Sequence, residues 1–206
     1  SAKAKHTQEV SEAVPLEIHH TETAAQRELL AVLRLIDAGK VVVSDKTRRP
    51  SAAAIATITG VLEGGDFHPV LAVAKGREDE NAGPIRAFAW PLLVQAGGLA
   101  QLSGTRLQLT RAGRKALAQP AAETLRNLWD KWRHTTLIDE LARIECVKGQ
   151  TGKKGKHGLT AVSSRRDAIS VALAESPGGD WIATDEFFRF LRASGIDFSV
   201  SEDPWH

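Results

Sequence analysis

The stretch Gly98-Leu-Ala-Gln-Leu-Ser-Gly-Thr-Arg-Leu-Gln-Leu-Thr-Arg-Ala-Gly-Arg-Lys-Ala-Leu117 constrains the fold more than any other part of the chain. Leu99-Ala-Gln-Leu102 and Arg106-Leu-Gln-Leu109 are two short alternating runs, and Ser103-Gly104-Thr105 between them has the composition of a tight turn. The pair reads as a β-hairpin. Thr110-Arg-Ala-Gly-Arg-Lys-Ala-Leu117 follows without a linker and reads as a helix.

Helical periodicity dominates the rest. Thr23-Ala-Ala-Gln26 has the spacing of a capping box, and Leu29, Leu33 and Ile36 recur at helical intervals until Gly39, so a first helix is expected over 23–38. Val41-Val-Val43 is a β-branched run suited to a short strand. The polar segment Ser44-Asp-Lys-Thr-Arg-Arg-Pro50 follows, and Ser51 then caps a helix carrying Ile55, Ile58 and Leu62 up to Gly64-Gly65. Residues 66–81 fit either strand or helix before a charged loop. Pro84 is placed to open a third helix with Ile85, Phe88, Leu92 and Leu93 on it, closed by Gly97-Gly98.

Beyond Pro120, Leu125, Leu128, Trp129 and Trp132 mark one helical face, and Thr136-Leu-Ile-Asp139 restarts a helix burying Leu137, Leu141 and Ile144. Ser164-Arg-Arg-Asp167 caps a helix with Ile169, Val171 and Leu173. Trp181-Ile182 is extended, Thr184 caps a helix with Phe187, Phe188 and Leu191, and Ile196, Phe198 and Val200 begin a strand. Trp90, Trp129, Trp132, Trp181, Phe187 and Phe188 are expected in the core. The fold class is mainly α with small β-hairpins (α+β). An N-terminal arm over 1–20 precedes a unit at 21–119 and a second helical unit at 120–206.

With 206 residues, 42% apolar and 25% charged, the chain has ordinary globular composition, which excludes collagen-like, disulfide-scaffold and wholly disordered classes. No run approaches the roughly 18 apolar residues that a membrane span requires, and a soluble cytoplasmic protein is expected. The single Cys146 allows neither an internal disulfide nor a cysteine zinc set. Without a Met, and stopping in mid-pattern at Trp205-His206, the sequence reads as a piece of a longer protein.

The order helix, short strand, helix, helix, two-stranded hairpin, helix over residues 23–118 resembles the winged-helix superfamily, with the hairpin as the wing. Gly98–Leu117 carries the resemblance best. Its Leu109-Thr-Arg-Ala-Gly113 step is similar to the "leucine, threonine, x, alanine, glycine" exit from the second wing strand of bacterial winged-helix regulators. Residues 165–200 resemble the opening of a second such unit, and tandem regions of this sort accompany bacterial helicase-like and DNA-processing proteins. The resemblance implies a third helix in the major groove presenting polar side chains. The candidate helix departs from that pattern, because only Arg86 and Gln95 are polar among Ile85–Gln95. Contact through phosphate, by loops and wing, is the form of binding left to it.

Basic residues gather in three places. Lys46, Arg48 and Arg49 precede the N-terminus of the second helix, where guanidinium groups and free backbone N–H donors could meet a phosphate. Arg106 and Arg111, with Arg114 and Lys115, lie in or after the wing. Lys148, Lys153, Lys154, Lys156, Arg165 and Arg166 fall in a Gly-interleaved segment, 148–166, without an acidic residue, which reads as a flexible cationic loop. Each cluster also fits a solvated surface.

A P-loop is excluded, since Gly152-Lys153 is followed by Lys154 and the required first Gly position is Val147. The seven His residues lack ligand spacing, so neither metal nor cofactor is expected. Asp139-Glu140 and Asp185-Glu186 suit helix starts rather than catalysis. The expectation is a non-enzymatic, phosphate-contacting, nucleic-acid-binding module of a larger intracellular protein. The alternative is a protein-interaction or scaffold module whose partner is another domain or chain.

Overall fold

The computed structural model describes residues 18–66, 83–143 and 159–201. Helix α1 (Thr21–Asp37) buries Leu29, Val32, Leu33 and Ile36, the stripe that the periodicity predicts. It starts earlier than expected, with His20 at the N-cap and no side-chain capping bond, so Thr23 and Gln26 lie inside the helix. Gly39, at φ 68°, turns the chain out of it.

Val41–Val43 lies along the hairpin formed by β1 (Ala100–Ser103) and β2 (Arg106–Leu109). Val43 N–H donates to Thr105 O at 2.8 Å and Leu107 N–H donates to Val41 O at 3.0 Å. The two strands are antiparallel in the register Ala100 to Leu109 and Ser103 to Arg106. Their two-residue turn needs a left-handed first residue, and Gly104 supplies it at φ 61°. Leu107 and Leu109 point inward and Arg106 and Gln108 outward, the strand alternation of period two.

Helix α2 (Ala52–Thr59) is capped as predicted, with Ser51 Oγ accepting from Ala54 N–H at 3.2 Å. Helix α3 (Arg86–Ala96) starts two residues after Pro84 and buries Ala87, Trp90, Pro91, Leu92 and Val94. Helix α4 (Arg111–Ala116) is capped by Thr110, whose hydroxyl accepts from Gly113 N–H at 3.1 Å and donates to Gly98 O at 2.7 Å. The Leu-Thr-x-Ala-Gly step thus has a local physical cause. Leu109 anchors the strand end, Thr110 starts the helix, and Gly113 passes where a Cβ would meet Leu99 O at 2.0 Å.

Helix α5 (Ala121–His134) buries Ala121, Thr124 and Leu128. Ala121 and Leu128 belong to the same apolar cluster as α1, α2, α3 and the hairpin. The residues after Pro120 therefore begin by completing the core of the first unit.

From Thr135 the structure departs from expectation. Residues 135–139 are not helical, and a 3-10 turn, Glu140–Arg143, ends this run of described residues, with Ile144 lying outside them. Ile138 is the buried residue there, and Leu137 is half-buried. Helix α6 (Val162–Glu175) buries Arg165, Arg166, Ala168 and Ala172 while Val171 and Leu173 are exposed, the reverse of the expected apolar face. Helix α7 (Thr184–Ala193) buries Leu191. Residues 196–199 do not form a strand, and one antiparallel bridge joins Leu159 to Ser201. Trp90 is buried as expected, whereas Trp129 is exposed and Trp181 is 83% exposed. Of the described helices, none is long and apolar enough to cross a membrane.

Candidate nucleic-acid interface

Residues 44–50 form a closed turn. Ser44 N–H donates to Arg49 O at 2.8 Å, Arg48 N–H donates to Ser44 O at 2.9 Å, and Thr47 N–H donates to Ser44 Oγ at 3.1 Å. Arg48 is left-handed, at φ 63°, a conformation that costs a non-glycine residue about 1 kcal/mol. Its carbonyl is held from α3, where Gln95 Nε2 donates to Arg48 O at 3.1 Å and to Pro91 O at 2.9 Å. The turn is fastened to the core on one side and presents Lys46 and Arg49 to solvent on the other.

The same turn adjoins the hairpin tip. Val43, just before it, takes the Thr105 carbonyl, and Val42 pairs with Arg106. The Arg106 guanidinium lies over Gly39 at the C-terminus of α1, where the helix dipole favours a cation. Lys40, exposed and next in sequence, adds a cation to this corner that its isolated position in the sequence did not reveal. Among the described residues, no carboxylate pairs with Lys40, Lys46, Arg48, Arg49 or Arg106, although Asp45 stands exposed in the turn itself. Ser51 satisfies one first-turn amide of α2, and a helix start leaves further N–H groups without intrahelical partners.

The other expected contact residues are distributed differently. Arg111 is exposed but follows β2 at the base of the hairpin, roughly 17 Å along the strand from Arg106 at about 3.4 Å per residue. Arg86 points inward. It pairs with buried Glu28 and donates to Glu63 O at 3.3 Å and Gly65 O at 2.6 Å. Burial pulls its guanidinium below the ordinary arginine value, while the Glu28 carboxylate favours the charged form. Lys148, Lys153, Lys154 and Lys156 lie outside the described residues.

Arg165 and Arg166 are not loop cations. They sit in the first turns of α6, 5% and 3% exposed, and their charge is consumed internally. Arg165 Nη2 donates to Asp139 Oδ1 at 2.7 Å, and its Nη1 reaches Thr160 O. Arg166 donates to Glu140 Oε1 at 2.8 Å, to Thr135 O and Ile138 O at 2.7 Å each, and to Trp132 O. Its guanidinium also lies 4.7 Å from the Trp132 ring centroid. The carbonyls beyond the end of α5 need donors, and a guanidinium supplies several in one plane. Asp139 and Glu140 are thus partners of these arginines as well as the start of the 3-10 turn, where Asp139 Oδ1 also accepts from Leu141 N–H at 3.0 Å.

No described group of three or more His, Cys, Asp or Glu residues is placed to hold a metal ion. No family model, curated protein or solved structure matches the chain.

Proposed function

We propose that the chain is a nucleic-acid-binding module with winged-helix character, contacting phosphate through the corner formed by residues 40–50 and the hairpin tip. The observation that carries this reading is the attachment of the basic turn to the wing, by Val43 N–H to Thr105 O and by the pairing of Val42 with Arg106. That attachment gathers Lys40, Lys46, Arg48, Arg49 and Arg106 from two separate stretches of sequence. The element order and the antiparallel docking of the 41–43 run on β2 support the winged-helix assignment.

Base reading is not part of the proposal. The two polar side chains of α3 are engaged inside the fold, Arg86 with Glu28 and Gln95 with Arg48 O. A helix so occupied has nothing left to hydrogen-bond base edges, so binding is sequence-neutral and salt-sensitive. The module works without turnover.

The test is fluorescence anisotropy of a labelled duplex and of a single strand at low and near-physiological salt. Binding is expected to weaken steeply with salt and to fall further when Lys46 and Arg49 are both changed to Glu. Replacing Lys153, Lys154 and Lys156 by Glu weighs the share of that segment. Affinity unchanged by reversal at Lys46 and Arg49 sinks the corner as the contact surface.

The second reading, a protein-interaction module, is favoured by the apolar side chains that α6, α7 and the segment between them leave in solvent. Val171, Leu173, Trp181, Ile182 and Phe190 are all exposed. Absence of nucleic-acid binding even at low salt moves the assignment to this reading.

A further inference from the structure

A cavity of about 680 Å³ opens between the N-terminal half of α1 and α3. None of Lys40, Lys46, Arg48, Arg49 and Arg106 lines it. Ala24 and Ala25 of α1 and Ala89, Trp90 and Leu93 of α3 give it apolar walls. Its volume falls in the range of roughly 300–1,000 Å³ typical of small-molecule sites.

Among the described residues, the carboxylates and guanidinium groups lining this cavity are closed into pairs. Glu28, 2% exposed, binds Arg86, and it also accepts from Trp90 Nε1 at 3.0 Å and from Glu63 N–H at 3.3 Å. Arg27 Nη1 donates to both carboxylate oxygens of Glu63 at 2.9 Å. Two cations and two anions thus cancel within the wall. A charged ligand entering here would lose hydration without gaining an unmatched counter-charge from these pairs. An uncharged apolar ligand would gain burial against alanine, leucine and tryptophan surface.

We infer that this cavity between α1 and α3 is a binding site for an uncharged, apolar small molecule. The small side chains Ala24, Ala25 and Ala89 make the space, and the Trp90 ring, oriented by its bond to Glu28, forms a fixed wall. The inference is independent of nucleic-acid binding.

The test is titration of the whole chain with the neutral probe N-phenyl-1-naphthylamine, followed by its fluorescence. Saturable binding is expected, with the dissociation constant raised tenfold or more in Ala89→Phe and, separately, in Ala25→Phe, each checked for folding by circular dichroism. Trp181→Ala should leave it unchanged, because Trp181 does not line the cavity. Absence of saturable binding overturns the site, as does binding that folded cavity-filling variants leave intact. Tighter binding of the anionic probe 1-anilinonaphthalene-8-sulfonate, lost in Ala89→Phe, overturns the uncharged class and points to His19 and His20 at the rim.

Discussion

Gly113 lies against the backbone of Leu99 so closely that a Cβ at position 113 would stand 2.0 Å from the Leu99 carbonyl oxygen. The obstacle is backbone, which cannot rotate aside as a side chain can. Gly113→Ala should therefore destabilise the protein by about 2 kcal/mol or more, despite the better helix propensity of alanine. Chemical denaturation measures this, and a neutral result would show that α4 can lift from the hairpin without loss.

Thr110 serves both sides of the same junction, capping α4 and donating to Gly98 O. Thr110→Val keeps the shape and removes both bonds, at a cost of about 1–2 kcal/mol, whereas Thr110→Ser should retain most of the stability. Equal loss in the two variants would assign the effect to packing of the methyl group.

Trp90 and Trp181 should respond in opposite ways. Trp90→Phe deprives buried Glu28 of one donor and should cost about 1–3 kcal/mol. Trp181→Ser removes a side chain that is 83% exposed, and its effect should stay within about 0.5 kcal/mol. Thermal melts of both variants decide the matter, and comparable losses would contradict the burial described above.

Arg166→Ala should cost about 2–4 kcal/mol, because it strips donors from the carbonyls of Trp132, Thr135 and Ile138, while Glu140, 42% exposed, keeps its bond from Trp132 Nε1. Arg166→Lys should recover little, since an ammonium cannot serve that planar set of acceptors. Recovery of full stability by lysine would mean that charge alone matters at this position.

If the corner binds phosphate, Arg106→Glu should lower the salt slope of binding by about one and Arg86→Gln should not. Arg86 faces Glu28, so its loss should appear in stability instead. Anisotropy at several salt concentrations separates the two effects.

What was legible in the sequence was local. The hairpin, the inward stripe of α1 and the Ser51 cap each depend on residues within one turn or one pair of strands. The basic turn was legible as a cluster, but its attachment to the hairpin tip depends on a pairing between Val42 and Arg106, far apart in sequence. Arg165 and Arg166 read as loop cations because a charged pair among glycines and lysines ordinarily faces water. Their burial depends on carbonyls left over at the end of α5 and on Asp139 and Glu140, which no periodicity connects to α6. For the same reason Val171 and Leu173 read as core: the side of α6 that packs inward was chosen by its arginines and by the small Ala168 and Ala172.

That choice makes the C-terminal region dependent on what precedes it. Cut away from α5, residues 159–201 would return Arg165 and Arg166 to water and keep only a few buried apolar side chains, among them Ala168, Ala172 and Leu191. The position of α6 is thus inherited from α5, which packs on α1 and α3 and offers at its end carbonyls that Arg166 of α6 supplies with hydrogens.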